Sequence, residues 1–100
     1  MDKYRVLILP RAARDLESIY EYIAGSLSAR DAAEKIMLEF EDAITSLEEM
    51  PNRGAMRKIG VYKDKGYRQL FVGNYAVIYR VDNERHMVLI VTARYIKSSF

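Results

Sequence analysis

The chain has 100 residues, enough for one domain, and half of them are apolar, which allows a modest core. It has no cysteine, which excludes disulfides and thiolate metal sites and suits a reducing compartment. The apolar run at residues 6–9 is too short for a signal-peptide core, and no run is long enough to span a bilayer. We therefore expect one cytoplasmic domain, residues 1–100, whose small stability makes a bound partner important.

The net charge of +2 conceals an uneven distribution. Residues 1–50 carry 6 Lys/Arg and 11 Asp/Glu, a net charge of −5, and residues 51–100 carry 10 Lys/Arg and 3 Asp/Glu, a net charge of +7. A basic half favours an anionic partner, which would be nucleic acid or an acidic protein segment. The alternative is that the helices are simply rich in glutamate and the strands in arginine.

The first half of the chain predicts one strand and two helices. Residues 4–9 are rich in strand formers and are followed by Pro10, which suits the start of a helix. Residues 11–26 have helical spacing, with an apolar face made of Leu16, Ile19, Tyr20 and Ile23. A second helix is predicted from Ser28, which with Asp31 resembles a capping box, to about Met50, just before Pro51. Its apolar stripe is made of Ala33, Ile36, Phe40, Ala43, Ile44 and Leu47. The short link between the helices predicts an antiparallel hairpin.

The second half predicts a loop and three strands. Residues 52–66 hold three glycines and five basic residues, and we expect a loop there with a short extended piece at 59–62. Strands are predicted at 67–72, 75–81 and 87–95, joined by a two-residue turn at Gly73-Asn74 and a five-residue loop at 82–86. The order βααβββ predicts an α+β fold with the helical hairpin on one face of a mostly antiparallel four-stranded sheet. If the chain reverses its direction at each connection between elements, strand 1 is antiparallel to strands 2 and 4 and parallel to strand 3.

Pairing through these two turns divides the strand residues between two faces. The almost purely apolar face is assigned to the core. The other face carries Tyr67, Gln69, Phe71, Ala76, Ile78, Arg80, Val88, Ile90, Thr92 and Arg94. No other predicted element covers this second face, which makes it a candidate docking surface whose main contacts would be Tyr67, Gln69, Phe71, Ile78, Val88 and Ile90. The alternatives are that the C-terminal tail or a second copy covers it, and a slip of one residue would exchange the faces.

Four segments, in order, cover nearly the whole chain. They are Ala12-Ala-Arg-Asp-Leu-Glu-Ser-Ile-Tyr-Glu-Tyr-Ile23 in the first helix, the end of the second helix with Pro51 and Gly54, the stretch 67–81, and the final strand 88–94. Together these segments resemble the RelE/ParE family of toxins from type II toxin–antitoxin systems. The resemblance implies a βααβββ fold and a cognate antitoxin that neutralises the toxin by wrapping it. It implies one of two activities, inhibition of DNA gyrase as in ParE-like members or ribosome-dependent messenger RNA cleavage as in RelE-like members.

The residues that carry RelE-like cleavage are largely missing here. That chemistry needs a base for the 2′-hydroxyl and fixed cations for the phosphate. By resemblance, the family's arginine in the central strand falls on Ala76, its late tyrosine falls near Phe100, and its final-strand arginine falls on Arg94. Arg94, Arg80 and Lys97 would therefore serve catalysis only if the chain is a metal-independent endoribonuclease. We expect instead a ParE-like, non-enzymatic toxin that inhibits growth and stabilises a plasmid, and a family member without toxicity is the third alternative. Arg94 could equally pair with an antitoxin carboxylate.

No cofactor or metal site is expected. His86 is the only histidine and lies in a predicted turn, and the chain has no phosphate-binding glycine motif. The four basic residues Arg57, Lys58, Lys63 and Lys65 could touch a target or nucleic acid, although ordinary loop charge explains them as well.

Overall fold

The computed structural model describes residues 3–98 and Phe100. Two α-helices and five strands follow one another along the chain: β1 Arg5–Ile8, α1 Pro10–Glu21, α2 Arg30–Ser46, β2 Ala55–Met56, β3 Tyr67–Val72, β4 Tyr75–Asp82 and β5 Met87–Tyr95. The predicted α+β architecture is confirmed, with one strand more than expected. No helix among the described residues has the length and apolar character needed to cross a membrane.

Helix α1 begins at a proline because Pro10 has no N–H to leave unpaired in the first turn. It continues as a single π-helical stretch at Tyr22–Ser26, so the helical region ends where Gly25 and Ser26 predicted. Ala12 of this helix is completely buried, and Leu16 and Ile19 pack against the core. The periodicity therefore identified the buried face of this helix correctly.

Helix α2 has the predicted apolar stripe but different ends. The predicted capping box is wrong, because the residue before the helix is Ala29 and no side chain caps its first turn. Ser28 instead adopts a positive φ of 50° in the link between the helices. The helix ends at Ser46, four residues before the predicted end, and the chain turns at residues 47–49. Pro51 thus follows a turn rather than ending the helix itself.

The sheet has the order β1-β5-β4-β3-β2. Strand β1 is parallel to β5, whereas antiparallel pairing with that strand was predicted. The prediction is wrong because the region between α2 and β3 contains strand β2, which pairs antiparallel with β3 and adds one reversal of direction. The short extended piece lies at this strand and not at 59–62, where Gly60–Tyr62 forms a turn of 3₁₀ helix.

One hairpin register was predicted correctly and the other was not. Through the turn at Gly73-Asn74, Val72 pairs with Tyr75 and Leu70 with Val77, as expected. The next turn has four residues instead of five, so Val81 pairs with Val88 and not with Met87. A bulge in the pairing at Ile78/Tyr79 then leaves Val91 as an extra residue in β5. After the bulge, the side chains in the last part of β5 point to the predicted faces of the sheet.

The core lies between the helical hairpin and one face of the sheet. Its buried members are Ala12, Phe40, Ile44, Leu47, Leu70, Val72, Val77, Tyr79, Val88, Ile90 and Ala93. Tyr79 is completely buried, and its hydroxyl accepts a hydrogen bond of 2.9 Å from the Gly54 N–H. Only glycine fits there, since a Cβ on Gly54 would stand 2.5 Å from the carbonyl oxygen of Gln69. This contact fixes the loop after α2 to the centre of the sheet.

Candidate functional site

The sheet face opposite the helices has the predicted composition along β3 and β4. Paired residues share a face, so Tyr67 lies beside Arg80, Gln69 beside Ile78, and Phe71 beside Ala76. We call this surface the open face. Its character is mixed, with aromatic and aliphatic groups among arginines, as the sequence indicated.

The assignment of Val88 and Ile90 to the open face is wrong. Both side chains are completely buried in the core beneath the helices. The four-residue turn shifts the first part of β5 by one position, and a shift of one residue moves every side chain to the other face. Leu89 takes the expected place, beside Arg80. Thr92 and Arg94, which follow the bulge, pair with Ile78 and Ala76 as residues of the open face.

The exposed part of the open face is aromatic and basic. Phe71 is 61% exposed, and the Arg80 guanidinium lies 5.5 Å from the centre of the Tyr67 ring. Ile78, by contrast, is completely buried and offers nothing to a partner. The predicted surface is therefore smaller than expected, and its accessible part extends along β3 from Tyr67 to Phe71.

Part of this face is covered by Arg57 of the β2–β3 loop and by Phe100, so the expected alternative of cover by the C-terminal tail holds only at Phe100. Arg57 donates to the Gln69 side-chain oxygen at 2.6 Å and to the Ile59 carbonyl at 3.0 Å. Its guanidinium also lies over the Phe100 ring, 4.3 Å from the centroid. Burial lowers the pKa of Arg57, whose side chain contacts neutral oxygens and a ring. A cation–π contact of this desolvated kind contributes about 1–2 kcal/mol.

The three residues named for a nuclease do not form one site. Arg80 pairs with Leu89, and Arg94 pairs with Ala76, four residues away along β4, which is roughly 13 Å at about 3.3 Å per residue. Arg94 lies instead 5.8 Å from the Phe100 ring, so this ring has a guanidinium contact from Arg57 and another from Arg94. Lys97 is exposed in the turn after β5. Among the described residues, no group of three His, Cys, Asp or Glu side chains could hold a metal ion.

Sequence reasoning missed the role of Arg57, which was treated as one of several loop charges. It is 6% exposed, whereas its neighbour Lys58 is exposed. No local pattern distinguishes these two residues, because Gln69 and Phe100, which help to bury Arg57, are distant in sequence. The predicted placement of His86 is confirmed: it is exposed in the β4–β5 turn, with its ring stacked on Tyr4 at 5.0 Å.

A second concave surface lies beside the helical hairpin. This open groove of about 880 Å³ runs between the hairpin and the ends of β4 and β5. Its lining includes Tyr22, Tyr75 and Tyr95, with Arg94 at one side. Burial, and to a lesser degree the neighbouring tyrosines, raises the pKa of Tyr75. Arg94 lines this groove and is also a residue of the open face.

The comparisons with known proteins agree with one another on the fold. The family model described as "ParE toxin of type II toxin-antitoxin system, parDE" matches residues 6–94. The chain is similar to the chromosomal ParDE TA system of P. aeruginosa, with a TM-score of 0.76, 22% identity and coverage of 95% of this chain and 98% of that chain. It is similar to the toxin–antitoxin complex RelBE2 of Mycobacterium tuberculosis, with a TM-score of 0.63, 25% identity and coverage of 95% and 93%.

A third solved structure with the same fold is the archaeal RelE–RelB complex of Pyrococcus horikoshii, with a TM-score of 0.57, 20% identity and coverage of 97% of this chain and 99% of that chain. None of the curated proteins that were compared matches the sequence. The solved structures thus include ParE-type and RelE-type assemblies.

Proposed function

The chain belongs to the ParE toxin family of type II toxin–antitoxin systems, and on this premise we propose that it inhibits growth by binding a protein target, DNA gyrase. A cognate antitoxin silences it by covering the open face and the helical hairpin. Such a pair acts in the cytoplasm, where the target lies, and stabilises the plasmid that carries it. The observation that carries the proposal is a sheet face with exposed aromatic and basic groups.

The antitoxin surface is the exposed strip of the open face around Phe71, Tyr67 and Arg80. Phe71 offers a large apolar side chain, and Arg80 offers a charge that takes part in no ion pair among the described residues. Gln69 adds a polar group between them. A segment with acidic and apolar side chains complements such a surface. The similar solved structures are toxin–antitoxin complexes, which supports a partner of this kind.

The antitoxin proposal is tested by calorimetric titration of the purified toxin with its antitoxin. We expect Phe71→Asp and Arg80→Glu each to weaken binding by about tenfold or more, as for residues central to an interface. Met50→Ser is the matched control, because Met50 is 53% exposed and lies outside both the helices and the strands. Full affinity in both open-face variants would place the antitoxin elsewhere.

A protein target fits the site better than cleavage of RNA does. Ala76 places a methyl group where the nuclease pattern has a cation, Phe100 has no hydroxyl, and Arg80 and Arg94 are not neighbours. Purified toxin added to a gyrase supercoiling assay measures the proposed activity directly. Inhibition that antitoxin reverses is the expected result, and unchanged supercoiling would rule out gyrase as the target.

The second candidate function is a ribosome-dependent messenger RNA endonuclease. The observation in its favour is the pair of guanidinium groups, Arg57 and Arg94, that contact one ring on the open face. Two fixed cations would stabilise the charge that builds on a phosphate. Primer extension on translated messages, with wild type against Arg94→Ala, distinguishes the two functions. Cuts that depend on Arg94 would favour the nuclease.

A further inference from the structure

The segment between β2 and β3 shows an inverted pattern of burial. Ile59 is 64% exposed and Val61 is 65% exposed, whereas Arg57 is 6% exposed. Isoleucine and valine are among the residues most often buried, and arginine is among those least often buried. We call residues 57–65 the anchored loop. Its two aliphatic side chains point away from the domain although the arginine beside them is buried.

Contacts on its inner side hold the anchored loop in this arrangement. The Arg57 guanidinium bonds Gln69 and the Ile59 carbonyl, and the Tyr62 ring packs edge-on against Tyr67 at 5.0 Å. The Val61 N–H donates to the Phe100 carbonyl at 3.3 Å. These contacts with β3 and with Phe100 fix the side of the loop that faces the sheet.

The backbone of the anchored loop is also closed on itself. The Asp64 N–H donates to the Arg57 carbonyl, and the Lys63 N–H donates to the Gly60 carbonyl, both at 3.3 Å. Gly60 has a φ of 75°, and a Cβ there would stand 1.8 Å from the Phe100 oxygen. A side chain is therefore excluded at the bend between the two exposed aliphatics. A loop that is ordered before binding loses less entropy when it binds.

The charges around these aliphatic side chains have one sign. Lys58, Lys63 and Lys65 are exposed, and none of them takes part in an ion pair among the described residues. Asp64 is the one acidic residue of the loop. The complement of an aliphatic tip surrounded by ammonium groups is an apolar pocket rimmed by carboxylates. Nucleic acid suits this tip poorly, because isoleucine and valine offer no ring for base stacking and Tyr62 packs inward.

We propose that the anchored loop inserts Ile59 and Val61 into an apolar pocket of the protein target, with the three lysines paired to acidic groups at its rim. This inference rests on the proposed function, since it names the toxin surface that recognises the target. It separates target recognition, at the loop, from antitoxin recognition, along Phe71 and Arg80. Exposed apolar groups held in a fixed arrangement are what the centre of such an interface needs.

Two sets of variants of the full chain test this proposal. The first is Ile59→Ser with Val61→Ser, and the second is Lys58→Glu with Lys63→Glu, which leaves the aliphatic tip intact. Leu38→Ser is the control for removal of an equally exposed aliphatic. The measurements are growth arrest on induction without antitoxin, the concentration that half-inhibits gyrase supercoiling, and affinity for the antitoxin.

We expect both loop sets to abolish growth arrest and to raise the half-inhibitory concentration by about tenfold or more, as for central interface residues. Antitoxin affinity and melting temperature should stay near those of the wild type, because the altered side chains are exposed. The control should arrest growth normally. Full toxicity of the Ile59→Ser, Val61→Ser variant would overturn the proposal.

Other outcomes identify different failures. A wild type that neither arrests growth nor inhibits gyrase refutes the proposed function itself. If the wild type arrests growth without inhibiting gyrase, the target is another protein, and the growth arrest caused by the loop variants still tests whether the loop recognises it. Loss of antitoxin affinity in the loop variants would assign the loop to the antitoxin and overturn the target role. Loop-dependent binding to single-stranded RNA or to phosphatidylglycerol vesicles, or loop-dependent dimerisation, would replace the protein target with that partner.

Discussion

Tyr79 shows how one side chain links the loop after α2 to the sheet. Its ring is completely buried, and its hydroxyl is the acceptor for the Gly54 N–H. Burial raises the pKa of this hydroxyl, although the bond from Gly54 opposes the shift. Arg68 bonds the carbonyl of the same glycine at 2.7 Å, so both polar groups of Gly54 are satisfied.

We expect Tyr79→Phe to lower the free energy of unfolding by about 1–3 kcal/mol, because the buried Gly54 N–H loses its acceptor. Urea unfolding followed by circular dichroism measures the change. Tyr22→Phe is the control, since Tyr22 is 55% exposed, and it should change the free energy by less than about 0.5 kcal/mol. Equal stability of the two variants would show that the bond contributes nothing.

Tyr75 makes stability depend on pH in the alkaline range. Burial, together with Tyr22 and Tyr95, raises the pKa of its hydroxyl. The folded state thus favours the neutral phenol, whereas in the unfolded chain the phenol ionises near a pKa of about 10. This contribution to stability is complete below that value and is lost as the pH rises through the folded pKa. We therefore expect Tyr75→Phe to lose less stability than the wild type between about pH 9 and 11. The urea midpoint, measured across this pH range, reports the stability of each protein. Parallel plots of midpoint against pH for the two proteins would contradict this expectation.

At the scale of elements, helix α1 protects the end of strand β5. Strand β1 pairs with β5 only as far as Ile90, so the later residues of β5 pair with β4 on one side and have no strand on the other. The Asp15 carboxylate of α1 accepts hydrogen bonds there from the Thr92 hydroxyl and, at 3.3 Å, from the Ala93 N–H. A side chain of the helix thus replaces a missing strand at the edge beside Arg94.

We expect Asp15→Ala to destabilise the fold by about 1–3 kcal/mol, because the completely buried Thr92 loses its acceptor. Hydrogen exchange should accelerate at the Ala93 amide in particular, since its bond to Asp15 is lost. Glu17→Ala changes an exposed carboxylate of the same helix and is the control. Exchange at Ala93 that is no faster than in the control would disprove the edge role.

At the scale of the whole molecule, charge is separated by element. The acidic half of the chain forms strand β1 and the helical hairpin, and the basic half forms strands β2–β5 and the anchored loop. All three ion pairs among the described residues join side chains three or four positions apart, so none connects the helices to the sheet. Arg80 and Arg94 of the open face take part in none of these ion pairs. This arrangement is the one expected both from an anionic partner and from helices rich in glutamate with strands rich in arginine.

A partner that binds only the folded chain should raise its stability. Antitoxin at about 100 times its Kd adds about 2.7 kcal/mol, and in a domain of this size each kcal/mol shifts Tm by about 4–8 °C. We therefore expect a Tm increase of roughly 10–20 °C in thermal scans with antitoxin. Phe71→Asp at the same concentration should reduce the shift, and an unchanged Tm with saturating antitoxin would contradict folded-state binding.

The sequence alone determined the elements that depend on local periodicity and turns. The apolar stripes of both helices, the Gly73-Asn74 hairpin and the composition of β3 and β4 follow from residues close together in the chain. The family resemblance predicted the fold and a cognate antitoxin as the partner. Phe71 and Arg80 could be placed on the open face because a two-residue turn permits a single register.

Only the tertiary structure decided the features that depend on distant partners. A four-residue turn and a bulge put Val88 and Ile90 in the core, and strand β2 reversed the direction of β1 relative to β5. Arg57 is the buried arginine because it contacts Gln69 and Phe100, which lie 12 and 43 residues away in the chain. Periodicity reports the preference of each segment, whereas register, direction and burial depend on the free energy of contacts between segments, which no local pattern contains.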